Sequence, residues 1–285
     1  MAGIKFHGAV DVQIRNNHIY QTNMGVWLDW MAQGVQVKNN LMNDNGLDIF
    51  LEVDHGPMLV SNNVLLSTIS LLMNSSGAAF VHNIFAGKMN VISYDSRLTP
   101  YHKPHSTYVA GLHDNPAGDI QFINNLFING ANAGEYKRSI LPVLFNGNVY
   151  TKGTVRAVSG DKQRSFGEIS AAAKEKIKNV GDKEAVEKNF IANENFDADA
   201  KLITEGDKIY LEISLNQKWV TEQKRTLVTT ASLTKAIVPG LPFENVDGSP
   251  LKIDFDYSGN KRNVLNPSPG PFEILKNGKQ KIRLW

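Results

Sequence analysis

The sequence has no cysteine among its 285 residues, which excludes a disulfide framework. No apolar run reaches the eighteen or so residues that a membrane-spanning helix needs, so a membrane is not an expected partner. The formal net charge of +2 gives no broad basic surface, so nucleic acid is not an expected partner either. The first residues show no basic segment followed by an apolar one, so no signal-peptide pattern is visible.

What the sequence does contain is a recurring asparagine in the pattern apolar, x, Asn, apolar. The positions are Asn17, Asn40, Asn63, Asn83, Asn125 and Asn148, separated by 23, 23, 20, 42 and 23 residues. A period near 22 with alternating apolar residues predicts a solenoid of short strands, and 42 residues predict one weakly marked extra coil. Asparagine tolerates the left-handed conformation of a turn, and its amide can bond the next coil's asparagine. We therefore predict an all-β, right-handed parallel β-helix with an internal asparagine ladder.

The repeat predicts a division of the chain. Residues 1–150 form the coils, and residues 151–285 form a β-rich C-terminal segment that packs on the solenoid as an irregular cap. Within that segment we expect a short helix at 167–178 and strands within 200–235. Residues 93–118 interrupt the rhythm and predict a polar loop over one face.

The start of the chain is abrupt, since residues 1–14 (MAGIKFHGAVDVQI) begin directly in strand-like alternation. An exposed first strand would leave unpaired backbone groups. We therefore expect a longer protein whose N-terminal coils are missing here.

Two consecutive strands each end in an acid. The first strand of each coil aligns as IKFH (4–7), VWLD (26–29), IFLE (49–52) and LLMN (71–74). Side chains alternate across a strand, so the first and third residue of each group should face the core. Asp29 and Glu52 should then lie side by side on the outer face, about 4.7–4.9 Å apart. Two acids that close do not ionise together easily, so we expect one to hold a proton.

This spacing points to sugar chemistry. Retaining glycosidases hold their carboxyl groups about 5–5.5 Å apart, and inverting ones about 6.5–9.5 Å apart. Several neighbours suit a sugar: Trp27 could stack on a ring, Lys5 and His7 could donate to hydroxyl groups, and His55 follows Glu52. In the predicted loop, Arg97 and His105 are candidate contacts of a lid over the sugar. An acid pair on a merely solvated strand stays open as an alternative.

GVWLDWMAQG followed by LEVDHGP resembles the signature of glycoside hydrolase family 120, the β-helical β-xylosidases. The segments AGIKFHGAVDV, TPYHKPHST and GLPFENVDGSPLKIDFDY share this resemblance, so it covers nearly the whole chain. It implies a retaining β-xylosidase that acts on short xylo-oligosaccharides, with Asp29 as nucleophile and Glu52 as general acid/base. Family members are about twice as long, so part of the wall of the sugar pocket is expected to be absent.

Other functions remain open. His102 and His105 have H-x-x-H spacing, but Pro104 opposes a helix that would align them, so we expect neither a metal nor a cofactor. A β-helical polysaccharide lyase would need several converging oxygens for calcium. A non-catalytic carbohydrate-binding solenoid is a third alternative, and a homo-oligomer is open. Short oligosaccharide substrates favour a bacterial cytoplasm, with extracellular and periplasmic locations left open.

Overall fold

A computed structural model of the chain describes residues 1–157, 185–274 and 276–285, so the predicted helix at 167–178 lies outside the described residues. Within these described residues, three parallel sheets wind around one core and confirm the parallel β-helix. In the described part of the chain, the first sheet contains five strands: β1 (Ala2–His7), β4 (Met24–Asp29), β7 (Leu47–Glu52), β10 (Ile69–Asn74) and β13 (Lys88–Val91).

The other two sheets have seven strands each among the residues that the structure describes. The second contains β2 (Gln13–Arg15), β5 (Gln36–Lys38), β8 (Met58–Ser61), β11 (Ser76–Val81), β16 (Gly118–Ile123), β18 (Val143–Asn146) and β20 (Val186–Lys188). The third contains β3 (His18–Tyr20), β6 (Leu41–Asn43), β9 (Val64–Leu65), β12 (Ile84–Phe85), β17 (Leu126–Phe127), β19 (Val149–Tyr150) and β21 (Ile191–Ala192). The parallel pairing thus continues past residue 150 to β20 and β21, while the predicted division of the chain at that residue stays a prediction.

The asparagine ladder forms as predicted. From Asn17 to Asn125, the Nδ2–H of each ladder asparagine donates to the Oδ1 of the next one, at 2.9 Å for Asn17 to Asn40 and 3.0 Å for Asn40 to Asn63. The left-handed conformation is adopted by the residue before each ladder asparagine, such as Asn39 with φ 56° and Asn62 with φ 54°. The turn and the ladder therefore use two different residues.

The prediction of an extra coil between Asn83 and Asn125 is wrong. Asn83 donates directly to Asn125 at 3.1 Å, and β11 pairs directly with β16. The 42-residue spacing contains one coil and an inserted antiparallel hairpin, made of β14 (Tyr94–His102) and β15 (Val109–Pro116). We call residues 94–116 the strap. We predicted a loop here, whereas the strap consists of two strands that pair with each other through backbone hydrogen bonds.

The core confirms the predicted strand parity. Val26, Leu28, Ile49 and Leu51 face inward and have no exposed surface. Farther along, aromatic rings stack from coil to coil, and the centroids of Phe80 and Phe122 are 4.8 Å apart. In-register parallel strands place equivalent side chains one strand spacing apart, which produces these stacks.

The C-terminal segment packs on the outer faces of the second and third sheets. It contains strands β22 (Lys201–Glu205), β23 (Lys208–Leu215) and β24 (Gly278–Arg283), which form a small antiparallel sheet. Among the described residues of this segment, the other elements are the short helix α1 (Lys218–Thr221) and a 3-10 turn at Thr230–Ser232. The strands predicted within 200–235 therefore end at Leu215. A further 3-10 turn, Gly134–Arg138, belongs to the coils. Trp219 packs with the third sheet and Phe243 with the second. No helix among the described residues is long and apolar enough to cross a membrane.

Candidate active site

Asp29 and Glu52 are direct neighbours in the first sheet. They are the last residues of β4 and β7, and their Cα atoms are partners in the parallel register. Neighbouring strands are about 4.7–4.9 Å apart, so this pairing sets the separation of the two side chains to first order. The same register places His7 beside Asp29 on one side and Asn74 beside Glu52 on the other. The strand alignment that we made from the sequence therefore agrees with the register of the sheet.

The turns after both acids have unusual backbone conformations. Trp30 and Met31 have φ values of 43° and 65°, and Val53 has a φ of 49°. A β-branched residue such as valine rarely adopts a positive φ, and such strain costs on the order of 1–3 kcal/mol. The turns are held by backbone bonds, since the Trp30 N–H donates to the Glu52 carbonyl at 3.0 Å. Each acid therefore stands at a fixed strand end.

Each acid has its own cation. The Lys5 Nζ lies 2.9 Å from Oδ2 of Asp29, and the His7 Nε2 lies 3.7 Å from the same oxygen. The Arg97 Nη2–H donates to Oε1 of Glu52 at 2.9 Å. Ion pairs and charge-assisted hydrogen bonds of this length hold the two carboxylates in place. The structure thus pairs both acids with cations from β1 and from the strap.

Trp27 lies between two other side chains of the sheet. The Lys5 Nζ is 3.3 Å from its ring centroid, and the Phe50 ring stacks with a centroid distance of 5.6 Å. Lys5 and Phe50 belong to the strands on either side of β4, so they cover opposite faces of the indole. The indole Nε1–H donates to Oε2 of Glu52 at 3.0 Å. Trp27 therefore orients Glu52. Both faces of its indole ring, which we expected to stack on a sugar, are covered by the side chains of Lys5 and Phe50.

Two predicted sugar contacts lie elsewhere. His55 is 2% exposed, and its Nε2 is 3.2 Å from the Thr99 carbonyl of the strap. Burial, and next the charge of His113, lower the pKa of His55 to about 4, so this imidazole is neutral near pH 7.

His105 lies at the tip of the strap. Its Nδ1 is 3.1 Å from Oδ2 of Asp11, and its Nε2 is 3.3 Å from Oε2 of Glu244. These three residues line a crevice of about 30 Å³, which suits a water molecule rather than a sugar ring. His102 is buried and lies against Gln33, so the H-x-x-H pair does not converge. Among the described residues, no three His, Asp or Glu side chains are grouped to hold a metal ion.

A third acid, Asp54, escaped the sequence analysis. It has no exposed surface, and its Oδ1 accepts the Ala32 N–H at 2.6 Å, which ties the turn after Asp29 to the turn after Glu52. Its Oδ2 has no hydrogen-bond partner in the described part of the chain. Burial, together with the charges of Asp29 and Glu52, raises the pKa of Asp54 well above its ordinary value, against the bond from Ala32. Protonation is therefore favoured at Asp54.

Asp95 is the second residue that the sequence analysis missed. Its two oxygens accept from the Arg97 guanidinium at 2.7–3.0 Å, and the Asn74 Nδ2–H donates to Oδ2 at 3.0 Å. The hydrogen bonds from Arg97 are the main reason that the pKa of Asp95 falls to about 2. The Asp-x-Arg spacing could have indicated this ion pair, because residues two apart lie on the same side of a strand.

Fold and site together define a parallel β-helix that carries two stacked carboxylates at the strand ends of one sheet. The solved structure of XylC in complex with xylose matches 100% of this chain, with 32% sequence identity and a TM-score of 0.83. The chain spans 45% of the XylC chain, which is less than half. Protein-family models and curated proteins give no match.

Proposed function

We propose that this chain carries the catalytic pair of a retaining β-xylosidase of the glycoside hydrolase family 120 type, acting on short xylo-oligosaccharides. The observation that carries the proposal is the register of Asp29 and Glu52 on adjacent strands. A spacing of about 4.8 Å is close to the 5–5.5 Å of retaining glycosidases and well below the inverting range. The whole-chain similarity to XylC, which was solved with xylose, supports xylose as the sugar.

The proposed reaction has two steps. A carboxylate oxygen of Asp29 attacks the anomeric carbon, the bond to the leaving-group oxygen breaks, and Glu52 gives that oxygen its proton. The xylosyl ester on Asp29 is then attacked by a water molecule whose proton returns to Glu52, and the carboxylate of Asp29 is released. The assignment of the two roles follows the family resemblance.

The surrounding side chains have proposed roles in this scheme. Lys5 pairs with Asp29 at 2.9 Å and orients this carboxylate for attack. The side chain of His7 is 60% exposed and can donate to a sugar hydroxyl. The scheme uses no metal. A cytoplasmic location stays part of the proposal, because short oligosaccharides suit an enzyme inside the cell.

Hydrolysis of p-nitrophenyl β-xyloside tests the proposal, with the anomer of the first product followed by proton NMR. We expect the wild-type chain to release β-xylose first, and Asp29→Asn and Glu52→Gln to lose about 10³-fold or more in kcat. Asp207→Asn is the matched control, since Asp207 lies in the turn between β22 and β23. This variant should keep wild-type activity.

Three outcomes would contradict the proposal. Release of α-xylose first would show inversion. Xylose binding by calorimetry without turnover would favour the carbohydrate-binding solenoid. Uronide cleavage that EDTA abolishes would favour the polysaccharide lyase.

A further inference from the structure

The strap crosses successive coils on its way from Tyr94 to His105. Asp95 contacts Asn74, Arg97 contacts Glu52, and Thr99 contacts His55. Farther along, the backbone of His102 exchanges two hydrogen bonds with the Gln33 side chain, at 2.9 and 3.1 Å. The strap is therefore fastened to the solenoid on both sides of Arg97.

A bulge in the strap aims Arg97 at the acid pair. In the antiparallel register Asp95 pairs with Asn115 and Thr99 pairs with His113, so four steps along β14 match two steps along β15. Residues 96–98 of β14 therefore lie opposite the single residue 114 of β15, and Arg97 is the middle one of the three. Bulges of this kind redirect a side chain and occur often beside active sites.

The guanidinium of Arg97 is shared between two carboxylates. It donates from Nε and Nη2 to Asp95, with the shortest distance 2.7 Å, and from Nη2 to Glu52 at 2.9 Å. Asp95 also accepts the backbone N–H of Arg97 at 2.9 Å, which fixes the bulge. A fork held this way has little freedom to rotate, in contrast to a flexible lysine ammonium.

We infer that Arg97, aligned by Asp95, is a positioning residue for Glu52: it holds that carboxylate in one orientation and sets the pH range in which Glu52 carries a proton. The inference rests on the proposed function and deepens it. A cation 2.9 Å from Glu52 favours the anion, whereas the first step needs the acid. Arg97, which we predicted as a sugar contact, therefore has the Glu52 carboxylate as its direct partner.

Among the described residues, Arg97 is the cation that contacts the oxygens of Glu52, and further charged groups surround the acid pair. They come from every neighbouring element: Asp29 on β4, Lys5 and His7 on β1, Asp54 in the next turn, and Asp95 on β14. The cations on β1 are bonded to Asp29. Removing the Arg97 charge should thus change the protonation of Glu52 more than removing any other cation.

The test compares four variants by the pH dependence of kcat/KM on p-nitrophenyl β-xyloside. Arg97→Met should move the alkaline limb about one pH unit higher, because an adjacent opposite charge shifts a carboxyl by about that much or more. Arg97→Lys should bring the limb most of the way back. Asp95→Asn keeps the Arg97 charge and removes the anion that shares it, so the limb should move lower than in wild type. Lys103→Met is the matched control, since Lys103 lies on the same strap over the Tyr108 ring.

A second measurement keeps the inference separate from the proposed function. Carbon-13 NMR of chains labelled at the glutamate side-chain carboxyl gives the titration midpoint of Glu52, assigned by the signal missing from Glu52→Gln. This midpoint should rise in Arg97→Met and stay in place in Lys103→Met, whether or not the chain hydrolyses xylosides. An unchanged midpoint with a raised KM alone would overturn the inference and make Arg97 a sugar contact. A chain with no activity but a shifted midpoint would refute only the proposed function.

Discussion

Replacing one rung of the asparagine ladder tests how much the ladder stabilises the coils. Asn63 has no exposed surface, and its Oδ1 accepts both the backbone N–H and the Nδ2–H of Asn40 at 3.0 Å. Its own Nδ2–H donates to the Val37 carbonyl at 2.9 Å and to Asn83 at 3.0 Å. Asn63→Ala removes all four bonds and leaves the Asn40 backbone N–H buried without an acceptor.

The magnitude follows from what is left unpaired. A buried donor that loses its partner costs about 1–3 kcal/mol, and each further lost bond costs about 1 kcal/mol or less. We therefore expect Asn63→Ala to lower the free energy of unfolding by roughly 2–4 kcal/mol. Loss of the amide also opens a small void, which acts in the same direction.

The assay is urea unfolding followed by circular dichroism, with the midpoint and the slope both fitted. Asn17→Ala is the matched control, because Asn17 is the first rung and is partly exposed. It loses two side-chain bonds, while its backbone N–H still donates to Asn40 at 3.0 Å, so it should cost less than about 1 kcal/mol. Equal unfolding free energies for the two variants would refute the argument that buried unpaired donors make the ladder costly to break.

Two further predictions concern pH. Burial raises the pKa of Asp119 to about 7, against the bond from the Ile237 N–H, so the folded state holds a proton that the unfolded state loses above about pH 4. The free energy of unfolding therefore falls as pH rises from about 4 to 7. In urea unfolding at pH 8, Asp119→Asn should be more stable than wild type by up to about 4 kcal/mol. At pH 4 the two proteins should have equal free energies of unfolding. Equal stability at pH 8 would contradict this. The second prediction concerns His105, whose protonation is opposed by desolvation and favoured by its bonds to Glu244 and Asp11. The bonds outweigh desolvation and raise the pKa of His105. The charged His105 therefore fastens the strap tip below about pH 6.5, and the tip loosens as pH rises through the pKa of His105 in the folded state. Hydrogen exchange should show strap amides about two- to five-fold better protected in wild type than in His105→Gln at pH 6, with the difference gone at pH 8.5; a difference independent of pH would refute the charge argument.

The sequence by itself determined the solenoid, its period and the facing acids. These features depend on residue identity at fixed spacing, because one strand per coil and in-register parallel pairing turn a 23-residue repeat into a stack. The parity of β4 and β7 follows from the same alternation. Asp29 and Glu52 could therefore be placed side by side before any coordinates were known.

Only the tertiary structure decided what surrounds the pair. The 42-residue spacing looked like two coils, and it is one coil with the strap inserted, because periodicity alone does not distinguish a coil from a hairpin of similar length. The burial of Asp54 and the covered faces of Trp27 depend on neighbours 20 or more residues away. Arg97 reaches Glu52 across 45 residues of chain through a bulge that no local pattern announces. A sequence repeat predicts the parts of the fold that recur from coil to coil. The place where an inserted hairpin such as the strap folds back is set by its contacts with several coils, which the repeat does not contain.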